Sequence, residues 1–144
     1  LFKEGVEEVG RLSDREHFLA GVALYWAEGY RKGNEEFGFT NSDPRMIQFI
    51  IRWLEQSCEI DKSLIYARIC INASYENRIK QITRFWKHIT GLHASQFSNP
   101  TFIRAANRKK FCEESRYYGL LRIKVRRSTN FRRKIMGWIE GIGR

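Results

Sequence analysis

Residues 22–29 constrain the fold more than any other part of this sequence, because they continue a helix that is apolar on two sides. On a helical wheel one face is bulky and consists of Phe18, Val22, Tyr25 and Trp26. The face nearly opposite contains only small residues, Ala20, Ala23 and Ala27. We expect the bulky face to fill the core and the small face to let another helix approach closely. Glu28 then lies at the end of that contact, before a glycine that can end the helix.

The length and composition suit one globular domain. The chain has 144 residues, of which 42% are hydrophobic and 14% aromatic, so it can bury a sizeable core. We predict an N-terminal extension over residues 1–12 and a single domain over residues 13–144. No run of about 18 apolar residues is present, so we expect no membrane span. Three cysteines without CxxC spacing, and no signal-peptide pattern, favour a reducing, cytoplasmic location.

The positive charge is concentrated at one end of the chain. Residues 104–144 contain 13 of the 26 Lys and Arg but only 3 of the 16 Asp and Glu, so they carry the whole net charge of +10. A local excess of this size indicates a polyanionic partner. A structural zinc site is not expected, because His88 and His93 have no cysteine pair nearby.

Hydrophobic periodicity and capping residues place the main elements. Ser13 and Glu16 form a capping box, so the first long helix should begin near Asp14 and stop at Gly29. Further helices are predicted over residues 44–58, 75–90 and from residue 129 to about 141. Strands are predicted over residues 35–41, 64–73 and 118–127, and residues 96–104 are read as an extended stretch. Residues 31–34 read as a tight turn and residues 107–116 as a polar, basic loop.

These elements predict an α+β fold in which helices pack on one face of a mostly antiparallel sheet. The other face of the sheet should then be basic, because the alternating strands place five polar or cationic side chains there: Arg68, Asn72, Arg122, Lys124 and Arg126. Side chains on one face of a strand repeat every ~6.6 Å and can contact successive steps of a duplex groove. The basic face and the charged C-terminal region together predict nucleic-acid binding.

The helix that ends at Glu28 resembles the motif helix of the LAGLIDADG homing endonucleases, which packs against its symmetry mate and ends in an acidic residue and glycine. Ala23 and Ala27 fall on the small positions of the motif and Glu28 on its catalytic acid. Gly21 in place of the leading leucine, and Trp26 in place of an acidic or small residue, depart from it. Residues 37–44 look like the strand-to-helix junction of small bacterial LAGLIDADG-like proteins, and residues 135–141 like their closing helix. The resemblance spans residues 13–143, with the helix over residues 75–90 as an apparent insertion.

The resemblance implies a homodimeric, metal-dependent endonuclease, because only one motif is present. The dimer interface would consist of Ala20, Ala23 and Ala27. Two copies of Glu28, with the carbonyl of Ala27, would hold Mg²⁺ or another divalent cation at a phosphodiester of a pseudo-palindromic duplex. Lys124 and Arg126 are the candidates for stabilising transition-state charge. The DNA-binding residues expected from the turn, the sheet and the basic loop are Arg31, Lys32, Thr40, Asn41, Tyr66, Arg68, Asn72, Arg108, Lys109, Lys110, Arg122, Lys124, Arg126 and Arg127.

Three alternatives remain open at this point. The chain can be a LAGLIDADG-like transcription regulator that keeps DNA binding and lacks catalysis, since the bulky Trp26 beside the acid can occlude a metal site. It can act in RNA binding or splicing assistance, because phosphate contacts dominate both kinds of recognition. It can also be a self-associating domain with a basic surface and no nucleic-acid partner.

Overall fold

A computed structural model describes residues 1–30, 36–104 and 116–144 of the chain. These residues form an α+β fold with five α-helices and a four-stranded mixed sheet. A π-helical turn (Trp53–Ser57) continues the third helix, and a 3-10 segment (Ala73–Arg78) leads into the fourth. The elements in chain order are α1 (Phe2–Val9), α2 (Asp14–Glu28), β1 (Gly38–Asn41), α3 (Pro44–Arg52), β2 (Ile65–Asn72), α4 (Ile79–Thr90), β3 (Phe97–Ile103), β4 (Leu120–Val125) and α5 (Thr129–Ile142).

The strands are arranged in the order β1-β4-β2-β3. The last strand, β4, lies inside the sheet and is antiparallel to both β1 and β2, whereas β3 is parallel to β2. Two of the three strand pairs are therefore antiparallel, as expected, and the parallel pair, which was not predicted, makes the sheet mixed. The parallel pair arises because α4 carries the chain back across the sheet, so that β3 starts at the same end as β2. Helix α4, which we expected to be an insertion, is therefore the crossover that connects β2 to the edge strand β3.

One apolar cluster joins the helices to a single face of the sheet. The strand residues on this face are buried, namely Phe39, Ile65, Ala67, Ile69, Ile71, Leu121, Ile123 and Val125. The helices contribute Val22 and Tyr25 from α2, Ile47 and Ile50 from α3, Ile82 and Trp86 from α4, and Ile135 from α5. Each large side chain buried here contributes roughly 1.5–3 kcal/mol, so this cluster orients the sheet and leaves its opposite face for other contacts.

Helix α2 begins where the capping box predicts. Ser13 Oγ accepts a hydrogen bond from the Glu16 N–H at 3.3 Å, and the Glu16 carboxylate accepts one from the Ser13 N–H at 2.7 Å. The hydroxyl and backbone N–H of Ser13 lower the pKa of Glu16, because both hydrogen bonds favour the ionised carboxylate. The cap fixes the register of the whole helix, and thereby which side chains face the core.

Gly21 is required in α2 by the packing of a neighbouring side chain. Gly21 lies against the Trp53 indole, and a Cβ at this position would collide with the ring. Trp53 is fully buried, and its Nε1 donates a hydrogen bond to the Phe18 carbonyl at 3.0 Å. The indole therefore takes the space that a side chain at position 21 would need.

Two predicted elements differ in detail from those observed. The helix predicted over residues 75–90 is α-helical only from Ile79, because Asn72 caps a 3-10 segment before it. The N-terminal extension contains a helix, α1, and none of its residues is buried. Within the three described ranges, no helix combines the length and apolar character needed to cross a membrane.

Candidate nucleic-acid interface

The open face of the sheet, opposite the helices, brings three predicted basic residues together. The register pairs Arg68 with Arg122 and Tyr66 with Lys124, so these four side chains lie on the same face of neighbouring strands. Arg68 Nε also donates a hydrogen bond to Ser98 Oγ on β3 at 3.1 Å. The alternation of β2 and β4 thus predicts this part of the surface correctly. We call these four residues, Tyr66, Arg68, Arg122 and Lys124, the basic face.

Two tyrosines hold arginine side chains over the sheet. The guanidinium carbon of Arg122 lies 5.6 Å from the centre of the Tyr30 ring, and that of Arg126 lies 5.6 Å from the centre of the Tyr66 ring. Both distances are within the range of cation–π attraction. Burial raises the pKa of Tyr66, and the nearby Glu36 raises it further, against the opposing effects of Arg126 and Arg68. Tyr66 therefore stays a neutral hydroxyl donor beside the cations at physiological pH.

Tyr30 is a component of this surface that was not predicted from the sequence. Its ring covers Gly38 on β1, where a side chain would collide with it, and its hydroxyl pairs with Thr40 Oγ1 at 2.7 Å. The Tyr30 N–H donates to the Gly38 carbonyl at 2.9 Å, and Gly29 forms an isolated bridge with Phe39. The signal in the sequence is an aromatic residue directly before the basic pair Arg31-Lys32, with a glycine in the following strand.

The buried side chain of Arg122 is the feature that best indicates a ligand site. Its Nε is buried, and no acceptor among the described residues lies within hydrogen-bond distance of it. A depression of about 100 Å³ lies here, lined by the four residues of the basic face. A buried donor without an acceptor costs about 1–3 kcal/mol, and three cations around one depression repel each other. An anionic oxygen entering the depression would relieve both costs.

Asn41 and Asn72, two predicted DNA contacts at the ends of strands, form hydrogen bonds with nearby backbone groups. Asn41 Oδ1 accepts a hydrogen bond from the Asp43 N–H at 2.8 Å, and Asn72 Oδ1 accepts one from the Ser74 N–H at 3.0 Å. Asn41 also pairs with Leu121, which places it on the helix-covered side of the sheet. Both asparagines stabilise turns because a short amide side chain can bond its own backbone two residues on. Asn41, which we expected among the DNA-binding residues, therefore does not lie on the same face of the sheet as Arg122 and Lys124.

The remaining predicted DNA contacts lie around the basic face or outside the described residues. Arg126 and Arg127 follow β4 directly and are exposed. Arg127 has a left-handed backbone (φ 54°), and its N–H donates to Glu36 Oε1 at 3.3 Å, so the chain turns away from the sheet at this point. Thr40 is half-buried beneath Tyr30. Arg31, Lys32, Arg108, Lys109 and Lys110 lie outside the described residues.

The predicted catalytic residues are not adjacent within one chain. Glu28 is exposed at the end of α2, and the next residue bridges to Phe39 on the outer side of β1. Two inter-strand spacings, about 10 Å, therefore separate this end of α2 from β4 and Lys124. Arg126 lies with Tyr66 on the far side of β4. A single chain does not bring Glu28 beside the two bases, and the described residues include no group of three or more His, Cys, Asp or Glu arranged for a metal.

The small face of α2 is accessible, and its bulky face is only partly buried. Ala23 and Ala27 are exposed and Ala20 is half-buried. Val22 and Tyr25 are fully buried, whereas Trp26, which we expected in the core, is 38% exposed. On the helical wheel Trp26 lies between Val22 and Ala23, at the boundary between the bulky and the small face, which explains its exposure. The helix is therefore apolar on two sides but covered on one within the chain.

Comparisons with protein-family models, with curated proteins and with solved structures found no family model, no curated protein and no structure that matches this chain.

Proposed function

We propose that this protein is a LAGLIDADG-like endonuclease that binds a pseudo-palindromic DNA duplex as a homodimer and hydrolyses its phosphodiester bonds with a divalent cation. The observation that carries the proposal is the basic face, where three cations line one depression and the buried Arg122 Nε has no acceptor among the described residues. DNA phosphates are anionic oxygens that would supply the missing acceptor.

The form of the basic face suits a duplex. Arg122 and Lys124 are two residues apart on β4, and Arg68 lies opposite Arg122 on β2, so the cations occupy neighbouring points of a flat grid. Tyrosine rings beneath Arg122 and Arg126 limit the movement of both guanidinium groups, which lowers the ordering cost of binding. The basic face lies on the two central strands of a four-stranded sheet, so its projecting side chains, and not the strands themselves, would contact the duplex.

The exposed alanine face of α2 supports the homodimer. Small residues at Ala20, Ala23 and Ala27 permit close approach of a second α2, and that approach brings two copies of Glu28 together. Each chain then offers one carboxylate and the Ala27 carbonyl, which lies in the last helical turn where backbone acceptors lack intrahelical partners. These are oxygen ligands, which suit Mg²⁺, but they complete a site only in pairs and with substrate oxygens. When bound, such a cation activates water and stabilises the leaving oxygen.

A non-catalytic DNA-binding regulator is the second candidate, favoured by the position of Lys124. Lys124, the proposed source of transition-state stabilisation, lies on β4. Two inter-strand spacings, about 10 Å, separate β4 from the end of α2. On this hypothesis the basic face and the α2 dimer are retained, and Glu28 is only a helix-end residue.

One experiment separates the two candidates. A randomised duplex library is incubated with the purified protein in Mg²⁺ or in EDTA, and both bound and cleaved sequences are identified. We expect Mg²⁺-dependent cuts at one enriched, near-palindromic site, lost in Glu28→Gln and retained in the control Glu76→Gln, an exposed acid on the 3-10 segment. Enriched binding without cuts identifies the regulator, and cleavage by Glu28→Gln near the parent rate contradicts the catalytic assignment.

Salt dependence and competition test the nucleic-acid partner itself. Several phosphate contacts should make log K fall with log salt by about 0.9 for each phosphate neutralised. A flat dependence would contradict polyanion binding and favour the self-associating domain. Stronger competition by structured RNA than by duplex DNA would instead favour the RNA-binding alternative.

A further inference from the structure

Helix α1 is not buried against any of the residues that the structure describes. Its apolar residues Phe2, Val6 and Val9 form one stripe and are 88%, 59% and 67% exposed. Helices of fewer than about 12–15 residues are marginal in water unless an apolar face is packed. An eight-residue helix with an exposed stripe therefore needs a partner surface in order to persist.

A groove suited to such a helix lies at the other end of α2 from Glu28. It has a volume of about 810 Å³, and its apolar lining comes from Leu12, Phe18 and Phe49. A hydrogen bond of 2.9 Å between His17 Nδ1 and Ser57 Oγ joins its two walls. This groove does not include the basic face or the alanine face of α2.

The charges of α1 and of the groove are complementary. Helix α1 contains three acids, Glu4, Glu7 and Glu8, against one base, so its net charge is −2. The groove is lined by three arginines, Arg11, Arg15 and Arg52, against one acid, so its net charge is +2 with His neutral. Arginine side chains are long enough to lie along an apolar stripe and reach carboxylates on the flanks of a helix.

The α1 of the same chain is poorly placed to fill this groove. Arg11 belongs to the groove wall and follows the end of α1 after a single residue, Gly10. The helix would have to reverse its direction at Gly10 to enter the groove that its own linker lines. A copy of α1 from another chain has no such restriction.

We propose that this groove receives α1 of a second copy of the chain, in a reciprocal exchange of N-terminal helices. The apolar stripe of Phe2, Val6 and Val9 packs over Phe18 and Phe49. Arg15 pairs with the acids of the incoming helix. The exchange involves neither Glu28 nor DNA, so it goes beyond the proposed function. It is tested by substitutions in α1 and the groove that leave Ala20, Ala23 and Ala27 unchanged.

The first test measures mass without nucleic acid. Wild type, Val6→Glu and the control Lys80→Glu, an exposed base on α4, are compared by light scattering and sedimentation over a range of concentrations. We expect a wild-type dimer, a dissociation constant raised about tenfold or more by Val6→Glu, and no change in the control. A monomeric wild type, or a Val6→Glu dimer of unchanged stability, would overturn the proposal. Circular dichroism checks that each variant is folded.

A charge exchange then tests whether the helix crosses between chains. Arg15→Glu and Glu7→Lys should each weaken self-association, since each places like charges together. Mixing the two variants, one with a C-terminal mass tag, should form heterodimers, because each groove then meets a helix of opposite charge. Failure to form heterodimers, including the case in which α1 folds onto its own chain, contradicts the exchange.

Discussion

Replacing Arg122 by methionine should change protein stability and DNA affinity in opposite directions. Methionine keeps the apolar stem beside Tyr30 but removes the guanidinium, whose buried Nε has no acceptor among the described residues. Removing that donor recovers about 1–3 kcal/mol of desolvation cost. Loss of the cation–π contact costs about 0.5–1 kcal/mol. The net expectation is a protein stabilised by about 1 kcal/mol, which corresponds to a rise in Tm of roughly 2–4 °C.

If the protein binds DNA as proposed, the same substitution removes one charge-assisted contact to phosphate. Such a hydrogen bond contributes about 1.5–3 kcal/mol, so DNA affinity should fall by roughly ten- to a hundredfold. The slope of log K against log salt should decrease by about 0.9. Urea denaturation and duplex titrations at four salt concentrations measure both effects. Arg68→Met is the matched control: it should weaken binding without stabilising the protein, because Arg68 is exposed and bonded to Ser98.

An Arg122→Met variant that is less stable than wild type and binds DNA with unchanged affinity would refute this reasoning. It would show that the guanidinium is a structural group with a partner inside the folded chain.

Three further substitutions or treatments test the packing around α2 and the sheet. Gly21→Ala should lower the free energy of unfolding by roughly 1–3 kcal/mol in urea titrations, because its methyl group collides with the buried Trp53. Ser128→Ala should cost about 1–3 kcal/mol in the same assay, since it removes the acceptor of the buried Phe37 N–H, now 2.8 Å away; an unchanged midpoint would show that another acceptor replaces it. Burial raises the pKa of Cys58 to about 12, so iodoacetamide at pH 8 should modify it far more slowly in native than in unfolded protein, as peptide mapping can measure. Because the folded-state pKa lies above the ordinary value near 9, the contribution of Cys58 to stability should decrease as pH rises above 9.

The elements predicted best from the sequence are those whose signals are local. The capping box of Ser13 and Glu16 placed the start of α2 at the correct residue. The alternation of β4 assigned its apolar side to the core and Arg122 and Lys124 to the other face, because burial depends only on the period of the strand.

The features that the sequence did not reveal depend on contacts between distant segments. The parallel pairing of β3 with β2 is set by the crossover through α4, and Pro100 at the irregularity in β3 obscures the alternation of that strand. Tyr30 belongs to the surface because Gly38 lacks a side chain on the neighbouring strand. The separation between Glu28 and Lys124 likewise follows from strand order, which residue spacing along the chain does not encode.

The order of strands also has a consequence for how the protein is made. Strand β4 lies between β1 and β2 and forms an antiparallel ladder with each of them. It is also the last strand of the sheet to be synthesised. Until residues 120–125 have been synthesised, β1 and β2 present unpaired backbone edges, which are the usual starting points for aggregation. The pairing of β1 with β4 then closes a long loop, so sheet formation is a late and slow step of folding. We therefore expect chaperones to bind a nascent chain whose synthesis has stopped before β4.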